Sequence, residues 1–156
     1  MGETSIIANP GFADVSTTVL PVPVTLGAAS LKPIIYVCET CRFSNEQATA
    51  DDGRSGGQIL YDLLMERRAG SDRVQEYEIR TTRCLMGCDH HCNLHFRAPG
   101  KINYVVGRFE PDAQSADAIV DYFEKYLESE TGQVPYKTWP QGIKGHFIAR
   151  TPPLED

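Results

Sequence analysis

Five cysteines fall in two short stretches, Cys38-Glu39-Thr40-Cys41 and Cys84 to Cys92 with Cys88 between them. Thiolates are soft ligands and also the nucleophiles of thiol exchange, so two such clusters have a short menu of uses. A [2Fe–2S] cluster takes four ligands, two per iron, usually all cysteine. A close pair on each stretch meets that need, Cys38 with Cys41 and Cys84 with Cys88. The same thiolates suit tetrahedral zinc, or cobalt with help from histidine. Cys38-x-x-Cys41 alone has the spacing of a redox dithiol. Cys92 is left over. It reads as an alternate metal ligand, a redox-active thiol or a small buried residue, and the fourth ligand stays open between Cys41 and Cys92.

Around the cysteines the sequence is locally basic. Arg73 to Arg108 holds six basic and three acidic residues, in a chain of 156 residues with a formal net charge of −6. Arg42, Arg83 and Arg97 are candidates to offset a negative cluster. His90, His91 and His95 crowd the second stretch and read as solvated loop histidines beside the cysteine site. Gly87 sits between ligands, where the backbone must turn tightly. Asp51-Asp52 precedes a helical segment, where acids cap and solvate. Gly53 to Gly57 lacks the Lys-Ser/Thr ending of a phosphate-binding loop. Trp139 and Tyr136 read as packing anchors.

The elements that must position these thiols follow from hydrophobic periodicity. Pro33 to Val37 is an apolar, β-rich run that ends at Cys38, and the polar, glycine-rich stretch from Arg42 to Gly57 reads as a loop. Ile59, Leu60, Leu63 and Leu64 predict a helix over 58–68, stopped by Gly70. Val74 to Thr82 reads as a second strand ending just before Cys84. Leu94 to Arg97 and Ile102 to Phe109 flank the Pro99-Gly100 turn as a hairpin. Ala116, Ile119, Val120, Phe123, Tyr126 and Leu127 place one apolar stripe on a helix over 115–130, with Asp112 and Asp117 near its positive end. The proline-containing C-terminal stretch reads as extended or looped. The order β-α-β then β-β-α is that of an α/β, thioredoxin-like mixed sheet with flanking helices. Two strands ending at one sheet edge would bring the two cysteine loops together. Residues 1–31, rich in Gly, Ser, Thr, Ala and Pro, read as a flexible N-terminal arm, and residues 32–156 as one domain with an extended C-terminal tail.

Val37 to Arg42, the Cys84-Leu85-Met86-Gly87-Cys88-Asp89-His90-His91-Cys92 loop and Arg97-Ala98-Pro99-Gly100-Lys101 resemble the DUF1636 family of predicted metal-binding proteins. Val134-Pro135-Tyr136 and Ile148 to Pro153 resemble its C-terminal end, so the likeness covers about residues 34–153. More distantly, the chain is similar to thioredoxin-like [2Fe–2S] ferredoxins. That likeness implies Cys38 and Cys41 as the first ligand pair and Cys84 and Cys88 as the second. Here the first pair is much closer in sequence than is usual in that group, and Cys92 has no usual counterpart. The resemblance further implies a homodimer and a link to cobalamin or cobalt metabolism.

The residues themselves lead to an electron-transfer protein rather than an enzyme, served by one or more redox partner proteins. A thiol–disulfide oxidoreductase and a zinc or cobalt carrier are the alternatives. An acidic chain with no long Lys/Arg run is a poor nucleic-acid binder. No segment reaches the roughly 18–20 apolar residues of a membrane span. The N-terminus lacks the order of a signal peptide, so cytoplasm is the expected location, where thiols stay reduced.

Overall fold

A computed structural model describes residues 31–154, so the arm expected over 1–31 lies, Leu31 apart, outside the described residues. The elements in chain order are β1 (Ile34–Cys38), α1 (Gly56–Ala69), β2 (Glu78–Thr82), β3 (Leu94–Arg97), β4 (Asn103–Val106), α2 (Ala113–Glu128) and β5 (Phe147–Thr151). They form one sheet in the order β2-β1-β3-β4-β5. β1 and β2 are parallel, whereas β3 runs against β1, β4 against β3, and β5 against β4. A parallel βαβ unit followed by an antiparallel ββα unit, with β1 between β2 and β3, is the thioredoxin-like arrangement.

Period-two alternation decides which strand residues are buried. Leu94 and Phe96 of β3, and Tyr104 and Val106 of β4, are buried, while the residues between them are partly or fully exposed. Ile35, Val37 and Ile79 complete that face of the sheet and share one core with Leu60 and Leu64 of α1 and Ile119, Tyr122, Phe123 and Tyr126 of α2. The aromatic rings dominate: Phe123 lies edge-on to Tyr77 at 5.1 Å and tilted to Phe96 at 5.4 Å between centroids. Such contacts stabilise beyond area burial alone. Arg67 of α1 ties the two helices together through Asp117 at 2.7 Å.

α1 begins two residues earlier than expected because Ser55 and Gln58 form a capping box, each side chain accepting from the other's amide at 3.1 and 3.0 Å. Asp52 is not the cap. It binds the Arg54 guanidinium at 2.8 Å, and Arg54 also reaches Asp62. Gly70 closes α1 as expected, and Asp112 caps α2 by accepting from the Ser115 amide at 2.8 Å. β2 is shorter than its hydrophobic run, because residues 72–76 form turns, held by the Val74 N–H to Ser71 O and Glu76 N–H to Arg73 O bonds. The C-terminal stretch is not simply extended. Two short 3-10 turns, Tyr136–Thr138 and Gln141–Ile143, lead into β5, which pairs along β4 and sets Phe147 against Tyr104, Tyr122 and Trp139. Trp139 is a packing anchor, whereas Tyr136 is 64% exposed, tilted against Trp139 at 5.0 Å and under the Lys144 ammonium at 5.2 Å. Among the described residues no helix is long and apolar enough to cross a membrane.

The N-terminus of α1 is seated directly on the first cysteine turn. A Cβ at Gly57 would overlap the carbonyl oxygen of Cys38, and a Cβ at Gly56 would overlap that of Arg42. Backbone against backbone cannot yield as a side-chain tip can. Gly57→Ala is therefore expected to cost about 1–3 kcal/mol in urea unfolding, the usual penalty of overpacking. Wild-type stability in that variant would show that the helix does not seat there.

Candidate metal centre

The register of the parallel pair brings the cysteines together. Cys38, the last residue of β1, lies opposite Thr82, the last of β2. The chain then leaves both strands at the same sheet edge. The Glu39 N–H extends the ladder to Thr82 O at 2.9 Å, and the Thr40 hydroxyl donates to Arg83 O at 2.5 Å. The first cysteine turn is thus stitched to the residue preceding Cys84. A Cys41 N–H to Cys38 O bond of 3.3 Å closes the turn, and α1 braces it through Gly57 N–H to Cys41 O and Ser55 Oγ to Glu39 O. The amides at the start of α1 are spent on its own cap and on loop carbonyls, not on a thiolate.

The second loop is turned by residues with positive φ, Met86 at 58° and Cys92 at 52°. The Met86 N–H points at Cys84 Sγ, 3.3 Å away. β3 enters from the same edge, so Asn93 sits between the loops. Its N–H donates to Cys41 Sγ at 3.2 Å, its carbonyl accepts from the Cys38 N–H at 3.0 Å, and its carboxamide donates to Gly87 O. Cys38 and Cys41 are buried, and Cys84 and Cys88 are exposed.

The thiols interact pairwise. The hydrogen bond from Cys41, with the Leu85 amide, holds the Cys38 thiol well below its ordinary range despite burial. The same bond and burial push Cys41 upward, so the pair gives up one proton readily and keeps the other. The charge of Cys84 raises Cys88. Cys92 differs from all four. It is fully buried in the hydrophobic core, its thiol faces Arg42 O at 3.7 Å, and burial pushes it up to about 12. Among the described residues, no group of three or more His, Cys, Asp or Glu side chains is placed to hold a single metal ion. The β1–β2 register and the Asn93 bonds bring both cysteine loops to one sheet edge. A two-iron centre takes two ligands per iron, and each loop carries two cysteines beside backbone amides aimed at Cys41 and Cys84.

The charged surroundings differ in part from the sequence reading. Arg42 and Arg83 are exposed on these loops, with Arg42 donating to Ser44 O and Glu46 O. Arg97 is at the wrong end. Antiparallel β3 places it opposite Ile34, where it lines a groove of ≈ 600 Å³ with Arg80 and Lys101. Arg108 takes its place near the second loop, at φ 65°, with its N–H on His91 O at 2.8 Å and its guanidinium on the His90 ring at 3.0 Å. His91 is not solvated: it is 7% exposed, with Nδ1 3.1 Å from Asn45 Oδ1 and Nε2 3.5 Å from Glu110 Oε1. His95 lies in β3, stacked on Tyr36 at 6.4 Å. Asn93 and Arg108 escaped the sequence reading, since an Asn after a cysteine and an Arg after a strand carry no chemical signature of their own.

The fold defines a thioredoxin-like α/β protein with two cysteine loops at the end of its parallel β1–β2 pair. The family described as "Protein of unknown function (DUF1636)" matches residues 35–153, and the chain belongs to it. No curated protein matches the chain. A solved thioredoxin-like [2Fe–2S] ferredoxin from Aquifex aeolicus is similar at 19% identity and a TM-score of 0.48, covering 78% of this chain and 94% of that one.

The Cys38–Cys41 contact has a measurable sign. In the metal-free chain one thiolate, followed by its ultraviolet absorbance, is expected to form well below pH 9, and Cys41→Ala should move that step back toward 9. A thiol with a depressed folded pKa stabilises above its unfolded value and loses that contribution as pH falls through the folded one. Cys38 therefore makes urea midpoints rise from acid toward pH 9. Cys41 and Cys92, both raised, lower them again as pH climbs above 9. An unshifted thiolate step in the wild type would contradict the contact.

Proposed function

We propose that this protein is an electron carrier that holds a [2Fe–2S] cluster through Cys38 and Cys41 on one loop and Cys84 and Cys88 on the other. The observation that carries the reading is the placement of both cysteine loops at one sheet edge, with the Asn93 and Met86 amides directed at the sulfurs of Cys41 and Cys84. When bound, such a cluster takes up and returns one electron. The chain's part is to hold the sulfurs, donate amide hydrogen bonds that favour their charged form, and keep the inner pair dry. Cys92 is left out of the ligand set because its thiol is engaged with Arg42 O inside the core. The exposed outer pair, beside Met86 at 87% exposure, faces the side from which a redox partner protein would approach. The reading extends to a homodimer in the cytoplasm and a role near cobalt metabolism, which rest on the resemblance and the composition alone.

A second reading, a zinc or cobalt carrier on the same thiolates, is favoured by the exposure of Cys84 and Cys88, which leaves a bound ion open to ligand exchange. A thiol–disulfide oxidoreductase is disfavoured. Cys38 and Cys41 are 3% and 6% exposed, out of reach of a protein disulfide, and the first amides of α1 bond Cys41 O and the Ser55 cap rather than a sulfur.

Anaerobic purification is expected to give a brown protein with about two irons and two acid-labile sulfides per chain, turning paramagnetic on one-electron reduction. Cys38→Ser, Cys84→Ser and Cys88→Ser should lose or alter that cluster, and Cys92→Ser should keep it. A colourless protein loaded with zinc would remove the cluster in favour of the second reading.

A further inference from the structure

Asn93 joins segments that are distant in the chain. It is fully buried, yet three of its polar groups are spent on the two cysteine loops: main-chain N–H to Cys41 Sγ, main-chain carbonyl to the Cys38 N–H, and Nδ2 to Gly87 O. The Gly87 carbonyl also accepts from the His90 N–H at 2.9 Å, which fills both of its lone pairs. Two glycines make room for the carboxamide. A Cβ at Gly87 would lie 2.5 Å from Nδ2, and a Cβ at Gly107 would overlap Oδ1. Oδ1 is buried without a hydrogen-bond partner among the described residues. A buried carboxamide with its acceptor unpaired costs free energy, so a shape-matched apolar residue would be the better core filler. The bond to Gly87 O is what an apolar residue could not supply, and only the NH₂ end of the group can make it.

We propose that Asn93 is the positioning residue of the thiol site, a clamp that sets the separation of the Cys84–Cys88 loop from Cys38 and Cys41. Its effect on a bound metal rests on the ligand pairs proposed above, whereas the clamp itself belongs to the metal-free chain. Among the described residues the side chain makes no hydrogen bond to sulfur. It acts on the carbonyl between Cys84 and Cys88, while the main chain of the same residue is fixed to the first pair. The Glu39–Thr82 and Thr40–Arg83 bonds fix the start of the second loop, and Asn93 fixes its middle, between Cys84 and Cys88.

The test uses the full chain without metal, and Asn93→Asp, which keeps the shape and main-chain bonds but replaces the donor with an oxygen facing an oxygen. Amide hydrogen exchange over residues 86–90, His90 above all, is expected to speed up about tenfold or more, the effect of losing one buried hydrogen bond. Amides in the middle of α2 should keep wild-type rates. Should Asn93→Asp fail to fold, Gly87→Ala presses on Nδ2 from the loop side and is expected to give the same local acceleration. Cobalt(II), titrated by its sulfur-to-metal absorption, should then bind about 10–100-fold more weakly to the variant than to wild type, as is usual when a ligand's support is removed. Faster exchange in a protein whose wild type takes up neither cobalt nor iron would uphold the clamp and reject the ligand pairs. Unchanged exchange, or unchanged cobalt affinity against a wild type that binds it, would overturn the positioning role.

Discussion

The structure depends on the parallel ladder between β1 and β2, in the register that sets Cys38 opposite Thr82. Parallel neighbours end on the same side of a sheet, and a crossover helix is needed to make them parallel. α1 supplies the crossover, and its first turn is pressed on the loop that follows β1. β3, entering antiparallel on the other side of β1, starts where β1 ends. Three segments therefore meet at one edge: the turn after Cys38, the loop after Thr82 and the approach to Leu94. An antiparallel β1–β2 pair would have put the two thiol pairs at opposite ends of the sheet.

The thiols at that edge form an inner and an outer pair. Cys38 and Cys41 are enclosed, and Cys41 receives the Asn93 amide; Cys84 and Cys88 face solvent on a loop whose turn needs Met86 in the left-handed region. That asymmetry gives the site a dry side and an open side. Hydrogen bonds to sulfur and local exposure are among the levers that set cluster potentials, and here both differ between the pairs. Cys92, although only four residues from Cys88, belongs to the packing beneath the site.

Much of this was legible in the sequence because its signals are local. The β1 run, the hairpin strand Leu94–Arg97, the Gly70 stop and the apolar stripe of α2 follow from periodicity and capping, and the cysteine spacing marked both loops. What escaped depends on long-range pairing. β5 is a short strand whose partner, β4, lies some forty residues earlier, and prolines precede it. Arg97 seemed near the site because it follows the cysteines in sequence, yet strand reversal carries it to the far end. His91 reads as a loop histidine until Asn45 and Glu110, from two other segments, enclose it. The role of Asn93 emerges only once both cysteine loops and Gly107 are in place around it.

The central claim is that the two thiol pairs share one inorganic centre. X-ray absorption at the iron edge of the anaerobically isolated protein tests it most directly. The account predicts irons surrounded by sulfur alone, each with a second iron close by. Protein without iron, or iron ligated by nitrogen and oxygen with no second iron nearby, would contradict it.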